Sequence, residues 1–193
     1  MSISFIKHWL SSPRSVGAIL PSSKFLARAM SELAVGADCV VELGAGTGAI
    51  TDELAKMHGE QNLVIYEPSQ NLSKNLKQKF PLAKIIASPL HANIDAIKGL
   101  PKNSIMVSSI PFRSLSSKDK KLTIDVIVDF LLESQSRRLI QFSYHPRSPF
   151  ESPVGYHWDF KKAVLFNTPP AGVWELHADH RQGSSMTKVG KKF

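Results

Sequence analysis

Short apolar runs alternate along the chain with longer segments whose apolar residues recur at helical spacing. The apolar runs predict strands over residues 38–43, 63–66, 84–87, 105–109 and 138–144. The segments between them predict helices over residues 49–57, 70–79, 94–98 and 119–132. Strands that alternate with helices in this way build a parallel sheet with helices on both faces.

The last apolar segment, "KKAVLFNTPPAGVWELHA", predicts two further strands joined by a Pro-Pro turn. The sequence therefore predicts an α/β fold: a Rossmann-like, doubly wound, mostly parallel seven-stranded sheet with a C-terminal antiparallel hairpin. We divide the chain into an N-terminal helical arm or lid (residues 1–30), a main domain (31–179) and a basic tail (180–193).

Composition narrows the classes of function. A chain of 193 residues with 42% hydrophobic content buries one substantial core. The sequence shows no membrane-spanning run and no secretory signal, so we expect a cytoplasmic protein. The single cysteine, Cys39, excludes a disulfide framework, and we predict no metal site.

The net charge of +8 predicts an anionic partner, either nucleic acid or an acidic lipid surface. Charge alone does not distinguish between these two partners.

Three glycines follow the first predicted strand at the spacing of a nucleotide-binding turn. Gly44, Gly46 and the pair Gly48-Ala49 satisfy G-x-G-x-x-G/A, and Glu67 ends the next strand 21 residues after Gly46. Glycine at the first position allows a tight turn, glycine at the second allows close approach of a ligand, and an acid on the next strand accepts ribose hydroxyls. This pattern fits NAD as well as S-adenosylmethionine, and a turn without a ligand is a third possibility.

Glu42 favours S-adenosylmethionine. It lies two residues before the first glycine, where the pyrophosphate of a dinucleotide would repel a carboxylate. The ammonium and sulfonium of S-adenosylmethionine would instead be attracted to it.

The stretches "VVELGAGTGAIT" and "IYEPS" resemble the first two motifs of class I S-adenosylmethionine-dependent methyltransferases. The resemblance covers residues 38–178 and implies that the main domain is a methyltransferase domain with S-adenosylmethionine as its cofactor. Many members of the family carry an acid where this chain has Ser88, so a serine, a backbone carbonyl or His91 would have to contact the adenine. The cofactor-binding residues that we predict on this basis are Glu42, Gly44, Ala45, Gly46, Thr47, Gly48, Glu67, Pro68, Ser88, Pro89, Leu90 and Ser109.

The stretch "SSIPFRSLS" at the end of the fourth predicted strand indicates the acceptor. A rigid proline followed by an aromatic ring suits an amine nucleophile, although an ordinary turn is the alternative. This stretch is similar to the tetrapeptide of amino-group methyltransferases, including those that methylate adenine in RNA or DNA. Tyr144 and His145, at the carboxyl end of the fifth predicted strand, are candidates for binding a phosphate or relaying a proton; a packing tyrosine and a loop histidine are the alternatives. The predicted catalytic residues are Ser109, Ile110, Pro111, Phe112, Tyr144 and His145.

Two further stretches resemble bacterial soluble-type phospholipid N-methyltransferases: "SPRSVGAILPSSKFLARAM" and "NTPPAGVWEL". "SSIPFRSL" also resembles their motif more than the Asn-initiated motif of ribosomal RNA adenine dimethylases, which append a helical RNA-binding domain. The resemblance implies methyl transfer to the amine of phosphatidylethanolamine or a related lipid, at the inner face of the membrane. The alternatives are a ribosomal RNA or nucleic-acid adenine N6-methyltransferase and, more distantly, a non-catalytic protein that binds an adenosyl ligand.

The N-terminal arm fits contact with an anionic membrane surface. Phe5, Ile6, Trp9 and Leu10 share one helical face with cationic residues beside it, a pattern typical of interfacial helices. An arm that packs over the site as a lid is the alternative. We expect no stable protein partner, and nucleic acid as a partner only under the alternative function.

Overall fold

The structure, a computed structural model, describes residues 23–179. In chain order its strands are β1 (Cys39–Leu43), β2 (Leu63–Tyr66), β3 (Lys84–Ile86), β4 (Ser104–Ser108), β5 (Arg138–Ser143), β6 (Tyr156–Val164) and β7 (Ala171–Ala178). Its α-helices are α1 (Lys24–Leu33), α2 (Ala49–His58), α3 (Gln70–Lys79) and α4 (Ser117–Leu132).

The seven strands form one sheet in the order β3-β2-β1-β4-β5-β7-β6. Strands β1 to β5 pair in parallel, whereas β7 is antiparallel to both β5 and β6. This arrangement confirms the predicted fold. Strands β2 and β3 lie on one side of β1, whereas β4 and β5 lie on the other, so the strand order switches between β1 and β4. In doubly wound folds, ligands bind at the carboxyl ends of the strands at such a switch point.

Successive residues of the central strands face opposite sides of the sheet, so each strand contributes to two cores. On one side, Val40 packs with Leu26 of α1 and Leu54 of α2. On the other side, Val41 packs with Ile127 and other residues of α4. Because all five residues of β1 are buried, the strand that leads to the glycines is held rigidly.

Two local predictions differ from the structure. Strand β6 begins at Tyr156, earlier than the sequence indicated: its first half carries alternating aromatic residues, and two of them, Tyr156 and Trp158, pack against the core on the α4 side of the sheet. The predicted helix at residues 94–98 is a short 3-10 turn, Ile94–Ile97. Helix α4 lies where predicted; its buried face includes Thr123 and Leu131, whereas Leu122 is 38% exposed.

The predicted arm, main domain and tail are only partly covered by the described residues. Residues 24–30 of the arm belong to α1, which begins after its cap at Ser23 and packs against α2 and the sheet. Residues 1–22, with the predicted membrane-contacting face, and the tail at residues 180–193 lie outside the described part of the chain. The domain division therefore stays a prediction. Between residues 23 and 179, no helix has the length and apolar character that crossing a membrane requires.

Candidate cofactor and acceptor site

A cavity of about 410 Å³ lies at the carboxyl ends of β1, β4 and β5. Two segments form much of its wall: the glycine turn after β1 and the stretch after β4. Among the predicted site residues, those that line the cavity are Gly44, Ala45, Gly46, Thr47, Ser109, Ile110, Pro111, Phe112, Tyr144 and His145. The cavity thus brings together the predicted donor and acceptor segments, which are more than 60 residues apart in the sequence.

Backbone hydrogen bonds fix the glycine turn against its neighbours. The N–H of Gly44 donates to the carbonyl of Tyr66 at 2.8 Å, and the N–H of Ser109 donates to the carbonyl of Leu43 at 2.8 Å. Gly44 has a φ of +75°, and a Cβ built on it would lie 3.7 Å from Cγ1 of Ile110. The two segments therefore lie side by side, with room for a methyl group between Gly44 and Ile110.

Gly46 and Glu67 form the centre of the turn. Gly46 has a φ of +59°, and a Cβ built on it would meet no atom within 4 Å, so the backbone here borders open space. Its N–H donates to Oε2 of Glu67 at 2.8 Å, and the N–H of Ser69 donates to Oε1 of the same carboxylate at 2.8 Å. Burial raises the pKa of Glu67, and the two backbone N–H groups oppose that rise. Each oxygen keeps a lone pair for a hydroxyl of a ligand.

The third glycine has a different environment. Gly48 has a φ of +86°, and a Cβ built on it would lie 3.0 Å from Cδ2 of Leu76 and 3.2 Å from Cε2 of Phe80. It does not line the cavity. Glycine at this position allows the start of α2 to pack against α3, whereas Gly46 borders the cavity itself.

Glu42 lies beneath the turn and is fully buried. The hydroxyl of Thr51 donates to its Oε2 at 2.6 Å, while Oε1 has no hydrogen-bond partner among the described residues. Desolvation by burial raises the pKa of Glu42 to about 8, and the nearby Glu67 and Asp52 add to that rise. Glu42 does not line the cavity, so its predicted contact with the amino group of the cofactor stays a prediction.

These residues fit S-adenosylmethionine. The open edge at Gly46 leaves room for a ligand, the oxygens of Glu67 suit ribose hydroxyls, and the unpartnered oxygen of Glu42 suits a hydrogen bond from an amino group. Glu67 itself lies outside the cavity lining, as do the other predicted cofactor residues Pro68, Ser88, Pro89 and Leu90. His91 contacts Thr123 of α4 at 3.3 Å.

The acceptor segment is shaped by its own backbone and by β5. The N–H of Phe112 donates to the carbonyl of Ile110 at 2.9 Å, and the N–H of Ser114 donates to the carbonyl of Pro111 at 2.8 Å. These two tight turns fix the segment at the mouth of β4. The side chain of Arg113 lines the same cavity and donates to the carbonyl of Ser148 at 3.0 Å.

Phe112 has more contact with the core than the sequence suggested. Its side chain is 2% exposed, and its ring lies 4.6 Å from the ring of Phe150, which in turn stacks edge-on against Trp158. Although Phe112 lines the cavity, most of its surface therefore packs in the second core. Its predicted role beside the acceptor stays a prediction.

Tyr144 and His145 both line the cavity but differ in burial. Burial raises the pKa of the Tyr144 phenol, so this hydroxyl stays protonated at neutral pH and is able to donate a hydrogen bond. Its predicted role in binding a phosphate or relaying a proton stays a prediction. His145 is exposed. The backbone N–H of His145 donates to the hydroxyl of Ser143 at 3.1 Å.

Sequence analysis missed Gln141, a polar residue inside β5. It is 2% exposed and lines the cavity, and its amide donates to the carbonyls of Ile110 at 3.3 Å and Phe142 at 2.8 Å. Gln141 therefore ties the acceptor segment to the neighbouring strand. The available signal was a polar side chain between the apolar residues Ile140 and Phe142 of the predicted strand.

Comparisons with known proteins agree with this geometry. The family model of ribosomal RNA adenine dimethylases matches residues 2–107, more than half of the chain. Among solved structures, the 23S rRNA methyltransferase ErmE is 19% identical, with a TM-score of 0.54 over 80% of this chain and 67% of its own. An rRNA methylase from Streptococcus thermophilus is 15% identical, with a TM-score of 0.53 over 79% of this chain and 93% of its own.

A TehB-like SAM-dependent methyltransferase from Corynebacterium glutamicum is 13% identical, with a TM-score of 0.55 over 92% of this chain and 97% of its own. At these identities the structural matches show a shared fold. No curated protein sequence matches the chain significantly.

The family match overturns the prediction of a phosphatidylethanolamine acceptor, which is wrong. The model that matches the N-terminal half of the chain is that of ribosomal RNA adenine dimethylases, and no comparison supports a lipid or membrane partner. Short stretches such as "NTPPAGVWEL" suggested the lipid enzymes, but resemblance over so few residues is weak evidence of substrate. The alternative of adenine methylation is the better supported one.

Proposed function

Because the chain belongs to the ribosomal RNA adenine dimethylase family, we propose that it methylates the N6 amine of adenine in ribosomal RNA. The protein is an S-adenosylmethionine-dependent methyltransferase. The observation that carries the proposal is that the glycine turn and the tetrapeptide Ser109 to Phe112 lie side by side in the wall of one cavity. Donor and acceptor would meet there at the carboxyl edge of the sheet.

S-adenosylmethionine supplies an electrophilic methyl group on a sulfonium, which needs no metal and no strong base from the protein. The chain would hold it with the backbone of Gly44 to Thr47 and with the carboxylate of Glu67. The work of the protein is then mainly to bind two reactants side by side and to exclude water, which accounts for large rate effects in such transfers.

The acceptor segment suits a flat aromatic amine. Two tight turns hold the backbone of Ile110 and Pro111, and the amide of Gln141 anchors the carbonyl of Ile110 from the neighbouring strand. The carbonyl of Ile110 already accepts two hydrogen bonds, whereas that of Pro111 accepts one and keeps a lone pair for an exocyclic amine. The apolar side chains of the cavity offer surface for a base, and Tyr144, which also lines the cavity, would add a hydroxyl.

Charge supports an RNA substrate. The chain carries a formal net charge of +8, and Arg113 at the cavity is exposed to solvent. Phosphates dominate the affinity of proteins for nucleic acids, so binding should weaken steeply as salt rises. An adenine in an unpaired stretch reaches such a cavity more easily than one inside a duplex.

Labelled methyl transfer tests the proposal. We would incubate the full chain with methyl-labelled S-adenosylmethionine and unmodified ribosomal RNA, then digest the RNA and identify the methylated nucleoside. The expected product is N6-methylated adenosine. A Gly46→Val variant, whose side chain would occupy the open space at the turn, serves as the inactive control. Label that appears on another base, or on phosphatidylethanolamine vesicles offered in parallel but not on RNA, would overturn the proposal.

A further inference from the structure

A second cluster of polar side chains lies on the terminal hairpin, away from the cavity. His157 on β6 is directly opposite His177 on β7, and Asp159 is two residues beyond His157 on the same face. Strand β7 runs antiparallel to β5, so its last residues lie beside the first residues of β5, as the pairing of Leu176 with Leu139 shows. The cavity is at the other end of β5, and the cluster is therefore separate from the candidate methyl-transfer site.

The three side chains converge at distances suited to sharing one ion. Nε2 of His177 lies 3.0 Å from Oδ2 of Asp159, and Nε2 of His157 lies 3.6 Å from Oδ1 of the same carboxylate. One possible ligand atom from each residue falls within 4.8 Å of the other two. All three side chains are partly exposed, so an ion can enter from solvent.

Both ring nitrogens of His177 lie close to oxygen atoms. Nδ1 lies 3.2 Å from the carbonyl oxygen of Ala178, and Nε2 lies 3.0 Å from Oδ2 of Asp159. In metal sites, a ligating histidine typically has a backbone carbonyl or a carboxylate beside the ring nitrogen that does not bind the metal. Nδ1 of His177 has such a neighbour, which leaves Nε2, on the side of Asp159, as the nitrogen that would bind an ion.

We propose that His157, Asp159 and His177 form a binding site for a divalent transition metal, with Zn²⁺ as the best match. Two imidazole nitrogens and one carboxylate oxygen are ligands that Zn²⁺ prefers, whereas Mg²⁺ and Ca²⁺ prefer oxygen alone. Water would complete the coordination. The site joins the edge strand β6 to β7, so its expected effect is to stabilise the hairpin.

A neighbouring lysine competes with the ion. Nζ of Lys161 lies 3.2 Å from Oδ2 of Asp159 and 3.1 Å from Oε1 of Glu175, while Glu175 also pairs with Arg138 at 3.3 Å. When a metal binds Asp159, Lys161 retains its second partner. Removal of the lysine should therefore tighten metal binding. If the cluster is only a set of ion pairs and binds no metal, the substitution should have no such effect.

Calorimetric titration with ZnCl₂ is the test. The full chain, treated with a chelator and dialysed, should bind one equivalent that is lost or weakened by about tenfold or more in His177→Ala and in Asp159→Asn. Lys161→Met should tighten binding by about twofold to fivefold. His58→Ala, which removes an imidazole from the end of α2, is the matched control and should bind as the wild type does. Circular dichroism of each variant would establish that it is folded.

Two further measurements distinguish the site from scattered surface binding. Co²⁺ in place of Zn²⁺ should give visible absorption typical of a four-coordinate site in the wild type and not in His177→Ala. Saturating Zn²⁺ should raise the melting temperature of the wild type but not of Asp159→Asn. The proposal would be overturned if the wild type did not bind zinc, or if His177→Ala and Asp159→Asn bound it as tightly as the wild type does.

Discussion

The carboxylate of Glu67 accepts the backbone N–H of Gly46 at 2.8 Å across a separation of 21 residues. The bond connects the end of β2 to the turn after β1, and a second bond from Ser69 holds the same carboxylate from the other side. An acid here therefore positions the glycine turn before any ligand binds. We expect the Glu67 carboxylate to bind the cofactor through this fixed orientation as well as through its charge.

We predict that Glu67→Gln weakens S-adenosylmethionine binding by about 1.5–3 kcal/mol, because the amide nitrogen cannot accept one of the two backbone N–H groups. Calorimetric titration of the cofactor would measure the loss. Glu151→Gln, which makes the same change on an exposed loop, should leave the affinity unchanged. An unaltered affinity in Glu67→Gln would mean that the carboxylate has no part in the cofactor site.

Alanine substitutions at Gly46 and Gly48 distinguish a glycine that leaves room for the cofactor from one that allows two helices to pack. Both Gly46 and Gly48 have positive φ, so alanine at either costs about 1–2 kcal/mol of folding free energy through backbone strain. Gly48→Ala should cost more, because its Cβ would press against Leu76 and Phe80, whereas that of Gly46 meets open space. Gly46→Ala should in return lose more cofactor affinity. Urea unfolding and cofactor titration of both variants would check this, and the opposite ranking would contradict it.

The sequence predicted the parallel part of the sheet well because its inner strands, β1, β2, β4 and β5, are almost wholly buried and appear as short apolar runs. Strand β2 matches its predicted bounds, and the glycine turn follows β1 where expected. Edge strand β6 was predicted less well, since its half-buried first residues alternate aromatic and polar side chains instead of forming an apolar run.

The site was predictable in its position but not in its details. Motifs next to the strand ends identified both walls of the cavity, because parallel strands end at one edge. Local patterns did not reveal that Gly48 packs against α3, that Phe112 packs against Phe150, or that Gln141 supports the acceptor segment. Those contacts join residues distant in sequence, and His157 and His177 likewise meet only through the register of the hairpin.

Pro111 and Phe112 should respond differently to alanine. Pro111 lines the cavity and is only partly buried, so Pro111→Ala should lower kcat more than cofactor affinity and change stability little. Phe112→Ala should cost about 3–5 kcal/mol of folding free energy because it empties a packed position beside Phe150. Steady-state kinetics with ribosomal RNA and thermal unfolding would test both. Equal loss of cofactor affinity in Pro111→Ala would remove the acceptor role of that segment.

Glu42 should make stability depend on pH. Its pKa is raised from 4.5 to about 8 in the folded protein, so the folded state holds a proton that the unfolded state releases above pH 4.5. The free energy of unfolding contributed by this group should therefore be fully present below about pH 4.5 and fall as pH rises toward 8, by at most about 1.4 kcal/mol per pH unit. Glu42→Gln, which keeps the shape without the titration, should abolish that part of the slope and be the more stable protein at pH 8. Urea unfolding of both proteins from pH 5 to pH 9 would measure the difference, and parallel stability curves would show that Glu42 titrates normally in the fold.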